Sequence, residues 1–358
     1  MEGRSQKAEV RRPKPRATSV VSVAIEAIGL AGMVLAKPFV VTLRIERQVP
    51  LAAGQGVIVL HRYGSVVVLG SGDAHAVADA LVRVTAASRG PAEEFARRVD
   101  VGVEARGDTV VIATLHPASE PVDSQLGFEV ELSIRMPANV GVAVRSSFSD
   151  VRVAGMAGDC RVSNRFGDVE IDRCGRCGID NSYGSVRLVE TRGLVTVRNS
   201  YGDVDVREAA GPVQVANRYG TVRTGQSDGE VRIDNRFGNV IAHPDHGRLS
   251  IANRYGDINA WVASTELTAL NIMSRLGRVD LSLTSGVPFQ LDANALQGQI
   301  RSGFPFVVRD VGTGQRMSAR YGTGGPRIGL DGVWSSFAIH RDTAESLPAA
   351  DPEQREER

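Results

Sequence analysis

The chain has 358 residues, 42% of them hydrophobic, with 39 glycines, three cysteines and a formal charge of +1. That composition excludes a low-complexity disordered chain and a small disulfide-stapled scaffold, and it leaves a protein able to bury a large core around many tight corners. Near-neutral charge gives no bulk case for a nucleic-acid partner.

In chain order, residues 1–18 carry six basic side chains (Arg4, Lys7, Arg11, Arg12, Lys14, Arg16) against Glu2 and Glu9, a local +4 that leaves −3 for the remainder. An apolar run, SVVSVAIEAIGLAGMVLA, follows from Ser19 to Ala36. Basic head, apolar run and small residues together resemble a secretory signal or a single membrane anchor over residues 1–37, with membrane contact through 19–36. Glu26 opposes this, because a carboxylate near mid-membrane costs about 2.5–3.5 kcal/mol. The alternative is an amphipathic N-terminal helix of a cytoplasmic protein.

An opening strand is expected over Val40–Arg47, then the copy VIVLHRYGSVVVLG around His61. From 71 to 137 the pattern changes to longer strands (Val101–Ala105, Thr109–Thr114 about an Arg-Gly-Asp turn, Phe128–Met136) and one short helix, Pro91–Arg98, read together as an embellished cap. Regular coils are expected over 138–300, a C-terminal cap over 301–341, and a disordered tail over 342–358.

The middle of the chain repeats one block: NRFGDV at Asn164, NSYGSV at Asn181, NSYGDV at Asn199, NRYGTV at Asn217, NRFGNV at Asn235 and NRYGDI at Asn253. The steps are 17, 18, 18, 18 and 18 residues, the length of one coil in a stacked array. Glycine stands six positions before each asparagine, at 158, 175, 193, 211, 229 and 247, where a corner needs positive φ or close backbone approach. Apolar residues alternate on both sides of the block, as in Val195/Val197 and Val204/Val206, which marks strands with one buried face. The predicted fold is all-β: a single-stranded parallel β-helix (β-solenoid) with about 18-residue coils, two short strands per coil and capped ends. Worn copies flank it, SSFSDV at Ser146, SRLGRV at Ser274 and ALQGQI at Ala295.

Stacking predicts two structural ladders about 4.8 Å in pitch. One holds Asn164, Asn181, Asn199, Asn217, Asn235 and Asn253, each amide bonding its neighbours and the corner backbone. The other holds Phe166, Tyr183, Tyr201, Tyr219, Phe237 and Tyr255. Ladders of this kind satisfy buried corners, so they are assigned to structure; a rim of Tyr hydroxyls for sugars is the alternative.

Candidate chemistry is sparse. Arg165, Arg218, Arg236 and Arg254 share the position after the asparagine and form a possible anionic-polymer stripe, interrupted by Ser182 and Ser200. A surface ladder neutralised by Asp168, Asp203 and Asp257 is the simpler account of it. Asp168 with Glu170, and Asp203 with Asp205, alternate as carboxylate pairs, yet the repeat explains them without catalysis. His243-Pro-Asp-His246 has H-x-x-H spacing but no further ligands. Cys160 and Cys177 should be stacked inward neighbours within disulfide range, with core thiols the simpler account, and Cys174 should be exposed at a corner. No catalytic, cofactor or metal site is predicted.

The run of G-x-V-x-V-x-N-x-aromatic-G-x-V-x-V coils, the opening Val40–Arg47 strand and the closing GGPRIGL and SSFAI segments (Gly324 to Ile339) resemble an adhesin-like β-strand-repeat family of bacteria, over roughly residues 38–341. The resemblance implies a β-solenoid, exported or membrane-attached, with no enzymatic activity. The expected function is a non-enzymatic structural or interaction module at the cell envelope, whose partners are an envelope polysaccharide or another surface protein. A polymerising membrane-associated cytoplasmic scaffold is the alternative, with a polysaccharide-acting β-helix enzyme behind it.

Overall fold

The computed structural model describes residues 19–26, 38–52, 54–117, 126–244 and 246–342. The basic head, residues 27–37 of the apolar run and residues 343–358 of the tail lie outside these.

Strict alternation of apolar and polar residues gives each strand one buried face, and the strands assemble into two mostly parallel sheets of 15 strands each. Through the regular coils the chain passes from one sheet to the other at each corner. Cys160–Phe166 lies in the second sheet, Val169–Cys174 in the first, and Cys177–Tyr183 in the second again. Register follows the repeat. Asn164, Asn181, Asn199, Asn217, Asn235, Asn253 and Ser274 are successive partners in the second sheet. Val169, Val186, Val204, Val222, Val240, Ile258 and Val279 are successive partners in the first. Between the sheets, Val195, Val197, Val204 and Val206 are fully buried, and each such side chain contributes about 1.5–3 kcal/mol.

The corners solve two different steric problems. Gly202, after the aromatic residue, has φ 127°, and a Cβ there would lie 2.2 Å from the Gly184 carbonyl oxygen. Gly211, six positions before an asparagine, needs no positive φ; a Cβ there would lie 2.4 Å from the Gly193 oxygen. The left-handed residue of the opposite corner is not glycine at all. Arg173, Glu190, Glu208 and Gln226 take φ of 59°, 55°, 53° and 52°, a conformation that costs an L-residue about 1–2 kcal/mol.

Both ends depart from chain order. The coil formed by Gly56–Leu60 and Gly64–Ser71 lies between the strands Thr109–Leu115 and Gly127–Pro137 on one side and Val142–Arg145 and Ser149–Ala154 on the other. At the other end Arg327–Val333 and Ser336–Asp342 are wedged between Leu267–Thr284 and Phe289–Ser302. The ALQGQI copy therefore does not stack on the SRLGRV copy that precedes it in sequence. Antiparallel strands Phe39–Pro50 and His75–Ala86 extend the first sheet, and the helix Arg89–Arg97 packs Ala92, Phe95 and Ala96 into the core.

Ser19–Glu26 is a strand, paired antiparallel with Phe39–Pro50 along all eight residues. Residues 19–26 of the segment read as signal or anchor thus form an edge strand. Among the described residues no helix is long and apolar enough to cross a membrane.

His61 stands in the asparagine position of the first copy. It is 6% exposed; its Nδ1 lies 3.1 Å from Thr114 Oγ1 and its Nε2 is buried without a partner. Burial lowers its pKa from 6.5 to about 4. Below pH 6.5 the unfolded chain binds a proton that the folded chain refuses until about pH 4, so stability complete above 6.5 is lost as pH falls through that window. The loss is of order 3 kcal/mol. His61→Asn is expected to flatten this loss: urea midpoints at pH 7 and 4.5 should differ less in the variant than in the parent, and equal differences would contradict the assignment.

Candidate interaction surface

The asparagine column is internal, and its donors go to the backbone. Asn235 Nδ2 donates to the oxygens of Gly220 at 3.3 Å and Gly238 at 3.1 Å, and Asn253 Nδ2 donates to Gly238 and Gly256, both at 3.0 Å. One carbonyl, Gly238, therefore receives amides from two successive coils. The amides do not bond one another as the ladder reading expects: the Oδ1 atoms of Asn164, Asn181, Asn199, Asn217, Asn235 and Asn253 are buried without partners. Each of the six amides donates to a backbone carbonyl at a corner.

Beside this column the aromatic rings form a continuous stack. Tyr63 lies 5.6 Å from Phe148, and from Phe148 through Phe166, Tyr183, Tyr201, Tyr219 and Phe237 to Tyr255 the centroids are 4.7 or 4.8 Å apart with planes within 13°. Tyr183, Tyr201 and Tyr255 are 44%, 39% and 39% exposed. Each ring covers the face of the next, so solvent meets edges. A sugar therefore finds no flat ring to stack upon along the row, which disfavours the Tyr rim as a face-stacking platform.

Arginines line the same edge. Arg165, Arg218 and Arg236 place their guanidinium carbons 5.3, 5.3 and 5.2 Å from the centroids of Phe166, Tyr219 and Phe237; Arg62 does so over Tyr63 at 5.1 Å. Arg254 continues the row and is exposed. The carboxylates expected to neutralise this stripe are turned to other work. Asp168 accepts from Ser185 N–H at 2.7 Å and Asp257 from Arg278 N–H at 2.8 Å. Asp203 accepts from Thr221 N–H at 2.8 Å and pairs with Arg223 at 2.9 Å. These bonds tie one coil to the next. Both faces of Phe166, Tyr219 and Phe237 are covered by neighbouring rings, so each guanidinium lies against a ring edge rather than over a face.

Glu170 lies 3.8 Å from Arg152 and Asp205 2.8 Å from Arg207, so each alternating carboxylate has a structural partner. His243 stacks on Trp261 at 4.2 Å, whereas His246 lies between Asp228 at 3.5 Å and Glu266 at 2.5 Å. Among the described residues no group of three His, Cys, Asp or Glu side chains is placed to hold a metal ion. Cys160 and Cys177 are register partners, as expected. Cys174 is not exposed: it is 1% accessible, in the buried row continued by Thr191, Ala209 and Ser227.

No protein-family model and no curated protein matches the chain. Three solved bacterial structures are similar at 10% identity. The "putative adhesin" from Parabacteroides merdae has a TM-score of 0.45, over 66% of this chain and 95% of that one. The "putative cell adhesion protein" from Clostridium sporogenes has a TM-score of 0.26, over 86% and 100%, and the "putative adhesin" from Bacteroides fragilis 0.27, over 83% and 97%. With TM-scores below 0.5 these likenesses bear on neither activity nor ligand.

Proposed function

We propose that the protein is a two-sheet β-solenoid serving as a non-catalytic structural and interaction module at the cell envelope, exported or membrane-attached. Its ligand is an anionic polymer such as a carboxylate-bearing envelope polysaccharide. The observation that carries this reading is the ring-and-arginine edge. Arg218, Arg236 and Arg254 come from three consecutive coils, with Arg165 beyond the Ser200 and Ser182 interruption, and their charges face outward at a spacing of about 4.8 Å per coil. Repeated cations of this kind suit repeated anions on one chain. The non-catalytic reading is supported by Asp168 and Asp203, whose oxygens are engaged in coil-to-coil bonds.

A second reading, a membrane-associated cytoplasmic scaffold, draws on Ser19–Glu26. A strand paired with Phe39–Pro50 is not at the same time inside a membrane, and cleavage after Ala36 takes it out of the sheet. Both ends of the stack carry extra structure, with the antiparallel strands and helix at one end and Gly314–Tyr321 paired antiparallel with Phe289–Leu296 at the other, which opposes open-ended growth.

Two measurements check these statements. Arg218→Ala with Arg236→Ala should weaken binding to polygalacturonate several-fold at low salt and make the salt dependence shallower; unchanged binding removes the stripe as a ligand site. Fractionation of cells carrying a C-terminally tagged chain, with the N-terminal mass read, should recover the protein outside the cytoplasm. An intact chain in the cytoplasm contradicts the envelope reading and favours the scaffold.

A further inference from the structure

The three cysteines of the chain converge on one buried corner. Cys160 and Cys177 open successive strands of the second sheet and are direct partners in register, so their Cα atoms are about 4.8 Å apart. Cys174 ends the intervening strand of the first sheet, at 1% exposure. Two glycines bring it to the other thiols. Cys160 Sγ lies 3.8 Å from the Gly158 oxygen, that oxygen accepts the Gly175 N–H at 3.1 Å, and Cys174 Sγ lies 3.8 Å from the Gly175 oxygen. A Cβ at Gly175 would meet the Ala157 oxygen at 2.8 Å and the Gly158 oxygen at 3.0 Å, so only the bare glycine lets the corner close this far.

Nothing in the repeat asks for sulfur here. In the neighbouring coils the positions of Cys160 and Cys177 are held by Val142, Val195 and Val213, and the position of Cys174 by Thr191, Ala209 and Ser227. Thiols fill all three positions of one corner only. The thiols of Cys160 and then Cys177 hydrogen-bond toward the Cys174 sulfur and lower its pKa, while the same bonds raise those of the other two. Cys174 therefore ionises first, and the thiolate is the form that reacts. An open groove on the second sheet is lined by Asp159, Cys160, Arg176 and Cys177, the last two within three residues of Cys174 along the chain.

We propose that this corner is an oxidation site in which Cys174 is the shared partner, forming one disulfide with Cys160 or Cys177 and leaving the third thiol free. The oxidant is a hydroperoxide, small enough to reach the corner. The Cys174 thiolate attacks the peroxide oxygen, the O–O bond breaks, and hydroxide leaves with a sulfenic acid remaining on Cys174. The neighbouring thiol gives up its proton and attacks that sulfur; the S–O bond breaks and water leaves. Two thiols and one hydrogen peroxide become one disulfide and two waters, with sulfur oxidised and peroxide oxygen reduced.

The test is treatment of the folded full-length chain with stoichiometric hydrogen peroxide, blocking with N-ethylmaleimide under denaturing conditions, and non-reducing peptide mapping. The expected result is a fall from three titratable thiols to one, a mass loss of two hydrogens, and Cys174 in the linked peptide. Cys160→Val and Cys177→Val, which copy neighbouring coils, should each still yield a bond to Cys174, whereas Cys174→Ala, which copies Ala209, should not accelerate or preserve the loss of thiols. Circular dichroism melts confirm that each variant is folded. Three surviving thiols, added oxygen without a disulfide, or a Cys160–Cys177 bond with Cys174 free would overturn the proposal.

Discussion

A buried corner leaves backbone carbonyls that water cannot reach, and in this fold asparagine amides answer them, at Gly167, Gly184, Gly202 and Gly238 from two successive coils. The Gly238 oxygen takes hydrogen bonds from Asn235 of its own coil and Asn253 of the next. Unpaired, a buried acceptor of this kind costs about 1–3 kcal/mol. The same side chain thus satisfies its own turn and pins the neighbouring coil in register. The ring stack follows from it: with the asparagines aligned, residues two positions later have to lie one above another. The Asp and Asn side chains after the corner glycine add an outer row of coil-to-coil bonds, as in Asp257 N–H to Asn239 Oδ1 at 3.0 Å.

At the ends this rule relaxes and the chain pays in topology. Ser274 replaces asparagine, and Ser335 Oγ donates to its Oγ at 3.1 Å. Arg327–Val333 and Ser336–Asp342, which follow Phe289–Leu296 and Ile300–Ser302 in sequence, then lie inside the stack, between those strands and the preceding coil. Phe289–Leu296 covers the first, with its antiparallel partner Gly314–Tyr321 beyond it, and Ile300–Ser302 covers the second. Closure of this end consequently depends on contacts distant in sequence, which are slow to form.

Much of this was legible in the chain. The 17- and 18-residue steps define the pairing partners, and alternation such as Val195/Val197 defines the inward face. The order of coils at the ends was not, because a worn copy such as ALQGQI carries no signal for which neighbour it meets. Nor were the left-handed corners at Arg173, Glu190, Glu208 and Gln226, since long polar residues are no marker of positive φ. Cys174 was misplaced for a related reason: parity fails where the corner itself turns a side chain inward. The arginine row was visible, but its neighbours were not. Local spacing pointed to Asp168 and Asp257, whereas these carboxylates are drawn to backbone N–H groups and the guanidinium groups lie against the rings.

The fold leaves an interior spent on pairing and an edge on which rings and guanidinium groups recur with each coil, and the proposed role rests on that division. Its foundation is the donor character of the asparagine column, which a comparison at one site tests most directly. Asn235 is 1% exposed. Asn235→Ala removes the donor; Asn235→Asp also brings an acceptor against the carbonyls of Gly220 and Gly238. Urea unfolding at pH 7 should show both variants destabilised, with Asp losing more than Ala, and the gap should narrow at pH values low enough to protonate the carboxyl and restore a donor. An Asp variant as stable as the parent at pH 7 would contradict the account.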